Sequence, residues 1–333
     1  MNGNGNDRVL NIALIGCGRI SQVHFQTIQR EPRVKLVAVA DVDEKAAKSA
    51  AEANGAKAFA DPGELLKAVR PDAVVLCTPP NTHRALAEAA LKAGAHVLCE
   101  KPLSINLEDA VAMEQTSKDT GKLLMMASKF RYVNDIVKAK GIIQSGILGE
   151  VILIENEFCS RVDMHKRWNA QPELGGGGVL IDNGSHSVDI VRYLIGPIAD
   201  LQAIFGKQWQ QLEVEDTARV FVRCVDGTMA SIDLSWSIHK ESPYFIHVYG
   251  TAGTLDIGWK GSRYRQSEKL DWVAFGSGYD KIQAVGAQLA NFVDTITGKG
   301  MPLITMEDAL ESVRVIQRAY RTAEQNRWEK VVQ

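Results

Sequence analysis

The chain is expected to fold as two domains, a doubly wound α/β domain over residues 1–127 and an α+β domain over 128–333. Three observations predict this. Its length of 333 residues is too great for one small core. The first 127 residues alternate short, wholly apolar runs with helical patterns. Beyond them, strands of alternating polarity follow one another directly, without intervening helices.

The elements of the first half read in order. "VLNIALIG" is a strand, and "RISQVHFQTIQRE" a helix stopped before Pro32. "VKLVAVAD" is the next strand, and "DEKAAKSAAEANG" a helix with Gly55 past its end. "KAFA" is a short strand, and "DPGELLKAV" a helix opened by Asp61 and Pro62. "DAVVLCTPP", "HVLCEKP" and "KLLMMA" are strands, separated by the helices "NTHRALAEAALKAG" and "NLEDAVAMEQTSKDTG". Strands apolar on both faces are buried on both faces, so a parallel sheet with helices above and below is implied.

In the second half "EVILIENEF" and "LQAIFGKQW" are strands. "DTARVFVRCVDGTMASIDLSWSI" is a hairpin turning at Asp226-Gly227, and "YFIHVYGTAGTLDI" a second strand pair. "DKIQAVGAQLANFVDTITG" and "MEDALESVRVIQRAYRTAEQ" are amphipathic helices.

A net charge of −2 and the lack of any Lys/Arg-rich run give no electrostatic footprint for nucleic acid or anionic lipid. No apolar run approaches a membrane span, and "MNGNGNDR" has no signal-peptide character. Cys17, Cys77, Cys99, Cys159 and Cys224 are odd in number and scattered. They read as small core hydrophobes in a reducing, cytoplasmic setting. No histidine or cysteine spacing suggests a metal, and no G-x-S-x-G nucleophile string is present.

The first chemical signal is Gly16-x-Gly18-x-x-Ser21, directly after a strand and at the mouth of a helix. Gly16 permits the tight turn, Gly18 lets a pyrophosphate approach the backbone, and the small Ser21 lets helix pack on sheet. Phosphates would meet the unpaired N–H groups of the helix N-terminus. Asp41 ends the next strand, 20 residues after Ser21, where a carboxylate accepts from the adenosine ribose hydroxyls. A Gly-rich turn in another kind of α/β domain competes with this reading; the joint spacing disfavours it. Asp41 would repel a 2′-phosphate and no arginine follows it, so NAD is favoured over NADP.

With "GCGRIS", "TPPNTH" and "CEKPL" in that order, then "GGGGVLIDNGSHSVDIVRYL" and "GTAGTL", the sequence resembles the Gfo/Idh/MocA oxidoreductases. That family is named for glucose–fructose oxidoreductase and inositol dehydrogenase. The resemblance implies a Rossmann domain followed by an α+β domain with a large, mainly antiparallel open sheet. It also implies homodimers or homotetramers through that sheet, and NAD(P)-linked chemistry at a sugar or cyclitol carbon. By the same resemblance Thr78, Pro79, Asn81 and His83 flank the cofactor, together with Gly16, Gly18, Arg19, Ile20 and Asp41. Glu100, Lys101 and Pro102 mark the active site, with a cis peptide expected before Pro102.

Lys101 stands at the carboxyl end of a parallel strand, where such sheets bind ligands. It could hydrogen-bond the reacting oxygen or exchange a proton with it; a surface lysine paired with Glu100 is the plain alternative. Asp182 and His186 are four apart, so they share a helix face. A carboxylate beside an imidazole suits a general base, and the resemblance assigns these roles to the pair. A capping aspartate with a satisfied core histidine is the competing account.

The glycines at 175–178 are expected to admit the backbone close to nicotinamide and substrate, unless they are simply a flexible loop. Around the substrate, Lys129, Arg131, Tyr132 and Asn134 are candidates, as are His165, Arg167 and Trp168. Hydroxyls would take the polar groups, and Trp168 would stack on a sugar face.

The resulting expectation is a dehydrogenase acting on a secondary alcohol of a carbohydrate-like small molecule. His186, oriented by Asp182, takes the hydroxyl proton, and Lys101 hydrogen-bonds the same oxygen. Three other readings stay open: an enzyme of nucleotide-linked sugars, a non-catalytic NAD(P)-responsive regulator, and an imine or double-bond reductase.

Overall fold

The computed structural model describes residues 8–240, 242–269 and 271–331; the polar stretch 1–7, read above as no signal segment, lies outside the described residues. The chain separates into two compact units, each with its own sheet.

The first unit is built from β1 (Leu10–Ile15), α1 (Ser21–Arg30), β2 (Val34–Ala40), α2 (Glu44–Asn54), β3 (Lys57–Phe59), α3 (Pro62–Val69) and β4 (Ala73–Leu76). α4 (His83–Lys92), β5 (His96–Glu100), α5 (Leu107–Thr120) and β6 (Leu124–Ala127) complete the sheet region. The six strands run in the order β3-β2-β1-β4-β5-β6, all parallel. That is the order of a Rossmann sheet, with its switch point between β1 and β4. All four residues of β4 are buried, as strands covered on both faces must be.

The punctuation read from the sequence has physical counterparts. Asp43 caps α2 by accepting from the Lys45 amide at 2.9 Å, and Gly55 closes it in the left-handed conformation at φ 63°. Asp61 caps α3 by accepting from the Glu64 amide at 2.7 Å.

The second half begins with α6 (Asn134–Gln144), β7 (Val151–Cys159), the short α7 (Pro172–Gly175) and α8 (Val179–Leu194). β8 (Ile198–Phe205), β9 (Thr217–Cys224), β10 (Met229–Ser235), β11 (Tyr244–Gly250), β12 (Gly253–Gly258), β13 (Ser262–Gln266) and β14 (Val273–Gly276) follow. α9 (Lys281–Ile296), α10 (Met306–Gln325) and β15 (Glu329–Lys330) end the chain. The nine-stranded sheet runs β14-β13-β12-β11-β7-β10-β9-β8-β15, antiparallel except where β7 and β10 pair in parallel. α8 packs on β7, β9 and β10. β9 alternates strictly between buried and open positions, so one face of the sheet carries the core. The other face leaves Ile152, Phe221 and Met229 exposed.

Two expectations need correction. The division at 127/128 misplaces residues 281–310, which belong to the first unit. Leu289, Phe292 and Val293 of α9 lie in one apolar cluster with Phe25 and Ile28 of α1. An amphipathic period shows that a helix has an apolar face but not which layer receives it. In addition, α6, β13, β14 and β15 went unread. α6 starts at Val133 without a side-chain cap, so no capping residue announces it. The last three strands are short or polar and lie towards the sheet edges. The cysteines are all free, but Cys17 and Cys159 are only half-buried rather than core residues.

Candidate active site

At the switch point the residues form a dinucleotide cradle. Gly16 follows β1 at φ 95°, and a Cβ there would lie 2.7 Å from the Cys77 backbone, so glycine is required. A Cβ on Gly18 would meet nothing within 4 Å, which leaves the backbone open to a ligand. Ser21 is fully buried in the first turn of α1 and donates to the Gly18 carbonyl at 2.6 Å, which makes a third glycine unnecessary. The preceding Ile20 provides no side-chain cap, and the amides at this helix start suit a phosphate. Arg19 is exposed beside them.

Asp41 follows β2 and turns into the same loop. Its Oδ2 accepts from the Cys17 amide at 2.6 Å and its Oδ1 from the Asp43 amide at 2.9 Å. Each oxygen keeps a lone pair for a ribose hydroxyl. Burial and the Asp41 charge push the Cys17 thiol up to about 12, so it is an uncharged wall. This set fits NAD: Gly16, Gly18 and the α1 amides would take the pyrophosphate, and Asp41 the ribose.

The loops after β4 and β5 complete the edge. Thr78 and Pro79 are half-buried and Asn81 exposed, as cofactor contacts can be. His83 is not one: it is wholly buried. Its Nε2 lies 2.9 Å from the Thr78 carbonyl, and its Nδ1 lies 3.0 Å from the Pro102 carbonyl. It ties the Thr78 loop to the Lys101–Leu103 segment, and burial lowers its pKa against the pull of those carbonyls. A histidine at a helix start reads alike on the surface and in the core, so sequence did not separate the two. The Lys101–Pro102 peptide is cis, as the resemblance implied. Lys101 is half-buried.

Glu100 has a partner in the sheet's own layer of helices. Its carboxylate is 2.8 Å from Nε2 of His24, a fully buried residue of α1 that sequence reading passed over. The HFQ stretch of α1 looks like ordinary helix, and only the register of α1 against β5 reveals the pair.

In the second unit α8 carries Asp182 in its first turn and His186 one turn on. His186 is 6% exposed, and its ring lies edge-on to Phe130 with centroids 4.9 Å apart. Phe158, Phe245 and Trp259 continue that aromatic wall. Asp182 is half-buried.

The start of α8 is held by a residue that sequence reading missed. Glu215 accepts from the Gly178 amide at 3.1 Å, from the Leu180 amide at 2.9 Å, and from the Tyr320 hydroxyl at 2.8 Å. Burial raises its carboxyl above the ordinary 4.5 despite these donors. Two glycines of the run are required by this packing. A Cβ on Gly177 would lie 2.0 Å from the Tyr320 hydroxyl, and one on Gly178 2.0 Å from the Glu215 carbonyl.

Of the other expected substrate residues, Arg131 is corrected. Its guanidinium is buried against Asp189 of α8, with Nη2 to Oδ1 at 2.7 Å. It also lies over the Tyr193 ring, 5.4 Å from the centroid. Tyr132 is likewise buried, which raises its hydroxyl pKa. Arg–Tyr beside a domain boundary looked like a polar pocket because its partner, 58 residues on, is not visible in sequence. Lys129 and Arg167 are half-buried, and Trp168 is exposed in a short helical turn. His165 is exposed and pairs with Asp163 at 2.8 Å.

Fold and cradle together define an NAD-binding oxidoreductase. Residues 10–128 match the model of the oxidoreductase family with an NAD-binding Rossmann fold, and residues 136–256 match the GFO/IDH/MocA C-terminal domain. The chain belongs to the GFO/IDH/MocA oxidoreductase family. It is 30% identical over 256 residues to a myo-inositol 2-dehydrogenase of Thermotoga maritima, covering 74% of each chain. Its fold matches a levoglucosan dehydrogenase in complex with NADH at a TM-score of 0.90 and 20% identity, over 97% of this chain and 99% of that one. It also matches the WlbA dehydrogenase of Bordetella pertussis, in complex with NADH and UDP-GlcNAcA, at a TM-score of 0.86 and 26% identity, over 98% and 99%.

Proposed function

We propose that this protein is an NAD-dependent dehydrogenase of a secondary alcohol on a sugar, sugar derivative or cyclitol, with Lys101, Asp182 and His186 as its chemical groups. One observation carries the reading: Lys101 leaves the carboxyl end of β5 beside a cradle whose Asp41 suits an unphosphorylated ribose. NAD, held by Gly16, Gly18, Asp41 and the Thr78 loop, supplies the hydride acceptor when bound. His186 takes the hydroxyl proton as general base, and the Asp182 carboxylate, one turn earlier, stabilises the charge that the imidazole gains. Lys101 hydrogen-bonds the same oxygen and stabilises the negative charge that develops on it. In the reverse direction the same groups return the proton. Similarity to the myo-inositol dehydrogenase supports a cyclitol or sugar substrate. The likeness to WlbA favours, as a second reading, an alcohol on a nucleotide-linked sugar.

The test is a panel of cyclitols, aldoses, glycosides, anhydrosugars and nucleotide sugars, followed by reduced-nicotinamide absorbance. Lys101→Ala is expected to lower kcat by about 10²–10⁴-fold with NADH affinity retained. Near-wild-type turnover of that variant overturns the assignment.

We also propose self-association through the open face of the nine-stranded sheet. The exposed Ile152, Phe221 and Met229 support this, as an apolar patch of that kind favours a partner surface. Sedimentation of Phe221→Arg as monomer, against an oligomeric wild type, is the expected result. A cytoplasmic location is proposed on the five free cysteines.

A further inference from the structure

Glu100 ends β5 and directly precedes Lys101. Its side chain is only 13% exposed, yet donors and cations surround its carboxylate. Oε1 lies 2.8 Å from His24 Nε2, and Oε2 accepts from the Lys101 backbone amide at 3.3 Å. The ammonium groups of Lys129 and Lys101 act on it from further away. Burial alone would raise the carboxyl, but the His24 hydrogen bond, with the two lysines, holds it below 4.5. His24 itself is fully enclosed in the middle of α1. Its Nδ1 has no hydrogen-bond partner among the described residues, so the tautomer that fits carries its proton on Nε2, toward Glu100.

An imidazole and a carboxylate buried together beneath a strand end do more than fill space, because the carboxylate reaches the backbone of the next residue. We propose that His24 is a positioning residue: it keeps Glu100 in place as an anion, and that anion fixes the backbone at Lys101 and sets the charge beneath its ammonium group. The catalytic consequence rests on the role given above to Lys101; the pairing itself does not.

The alternative is a plain staple of α1 to the sheet, which would affect stability and nothing else. The experiment uses NAD-loaded full-length protein with [δ-¹³C]glutamate and ¹⁵N labels, the Glu100 signal being assigned by Glu100→Gln. In wild type the Lys101 amide proton is expected to move with the Glu100 titration. His24→Gln keeps an N–H donor at the reach of Nε2 and is expected to leave the midpoint near wild type. His24→Asn is too short to reach, so both signals are expected to titrate at higher pH. Should His24→Asn fold poorly, His24→Leu, which lacks the donor altogether, takes its place with the same expectation. A common midpoint in all variants, or a Lys101 amide indifferent to Glu100, overturns the inference. Lys101→Ala decides the functional reading separately. If that variant turns over near the wild-type rate while the midpoints move as expected, the catalytic role of Lys101 fails and the positioning pair stands.

Discussion

Glu215→Ala is the substitution whose cost can be worked most fully from the geometry. It removes the acceptor of the Leu180 amide and of the Tyr320 hydroxyl, and one of two acceptors of the Gly178 amide, which also donates to the Tyr320 hydroxyl oxygen. A lost N-terminal cap costs about 1 kcal/mol for each amide, and a buried hydroxyl deprived of its acceptor about 1–3 kcal/mol. The expected loss is therefore about 2–5 kcal/mol, subject to coupling among bonds that share one carboxylate. Glu215→Gln keeps a carbonyl oxygen at the same reach, so it should lie within about 1 kcal/mol of wild type near neutral pH. The assay is urea unfolding followed by tryptophan fluorescence, with Trp236 buried in the same unit. An alanine variant within about 1 kcal/mol of wild type would refute the account of what holds α8.

The same pair of variants tests the pH linkage. Burial raises the Glu215 carboxyl above 4.5, so the folded chain binds that proton more tightly than the unfolded chain. Its contribution is full below the unfolded value and is lost as pH rises through the folded value. Glu215→Gln carries no such proton. Its stability relative to wild type should therefore improve as pH climbs from about 4, and a constant difference across that range contradicts the raised value.

Further outcomes follow from the other buried charges. Asp189→Asn strips Arg131 of its counter-charge in the core and should cost about 3–5 kcal/mol in urea unfolding, whereas the double change Arg131→Met with Asp189→Leu should recover much of it. A single variant as stable as wild type removes the structural role assigned to Arg131. Asp41→Ala should weaken NADH binding by about 10–100-fold and leave NADPH binding unchanged or stronger, read by nicotinamide fluorescence. An unchanged preference would release Asp41 from the ribose.

The cradle was legible because its requirements are local. Gly16, Gly18, Ser21 and Asp41 belong to two consecutive strand–turn units, and a turn of φ 95° with backbone 2.7 Å away admits one residue type wherever the rest of the chain goes. The helix limits at Asp43, Gly55 and Asp61 are local in the same way, since a cap acts within three residues. His83 and Arg131 were misjudged for the opposite reason. A histidine or an arginine has one appearance in sequence, and its role depends on whether a carbonyl 19 residues away or a carboxylate 58 residues away comes to meet it.

By itself, then, the sequence determined the parallel and antiparallel halves, the dinucleotide loop, the carboxylate for the ribose and the position of Lys101 at a strand end. These follow from periodicity, backbone conformation and neighbours close in the chain. Only the tertiary structure decided that α9 joins the first unit, that Tyr320 and Glu215 leave no room for side chains at Gly177 and Gly178, and that His24 lies beneath Glu100. Those outcomes depend on which buried donor meets which buried acceptor. That pairing is set when helices dock on sheets, because a polar group cannot be enclosed without a partner and the partner can come from anywhere in the chain.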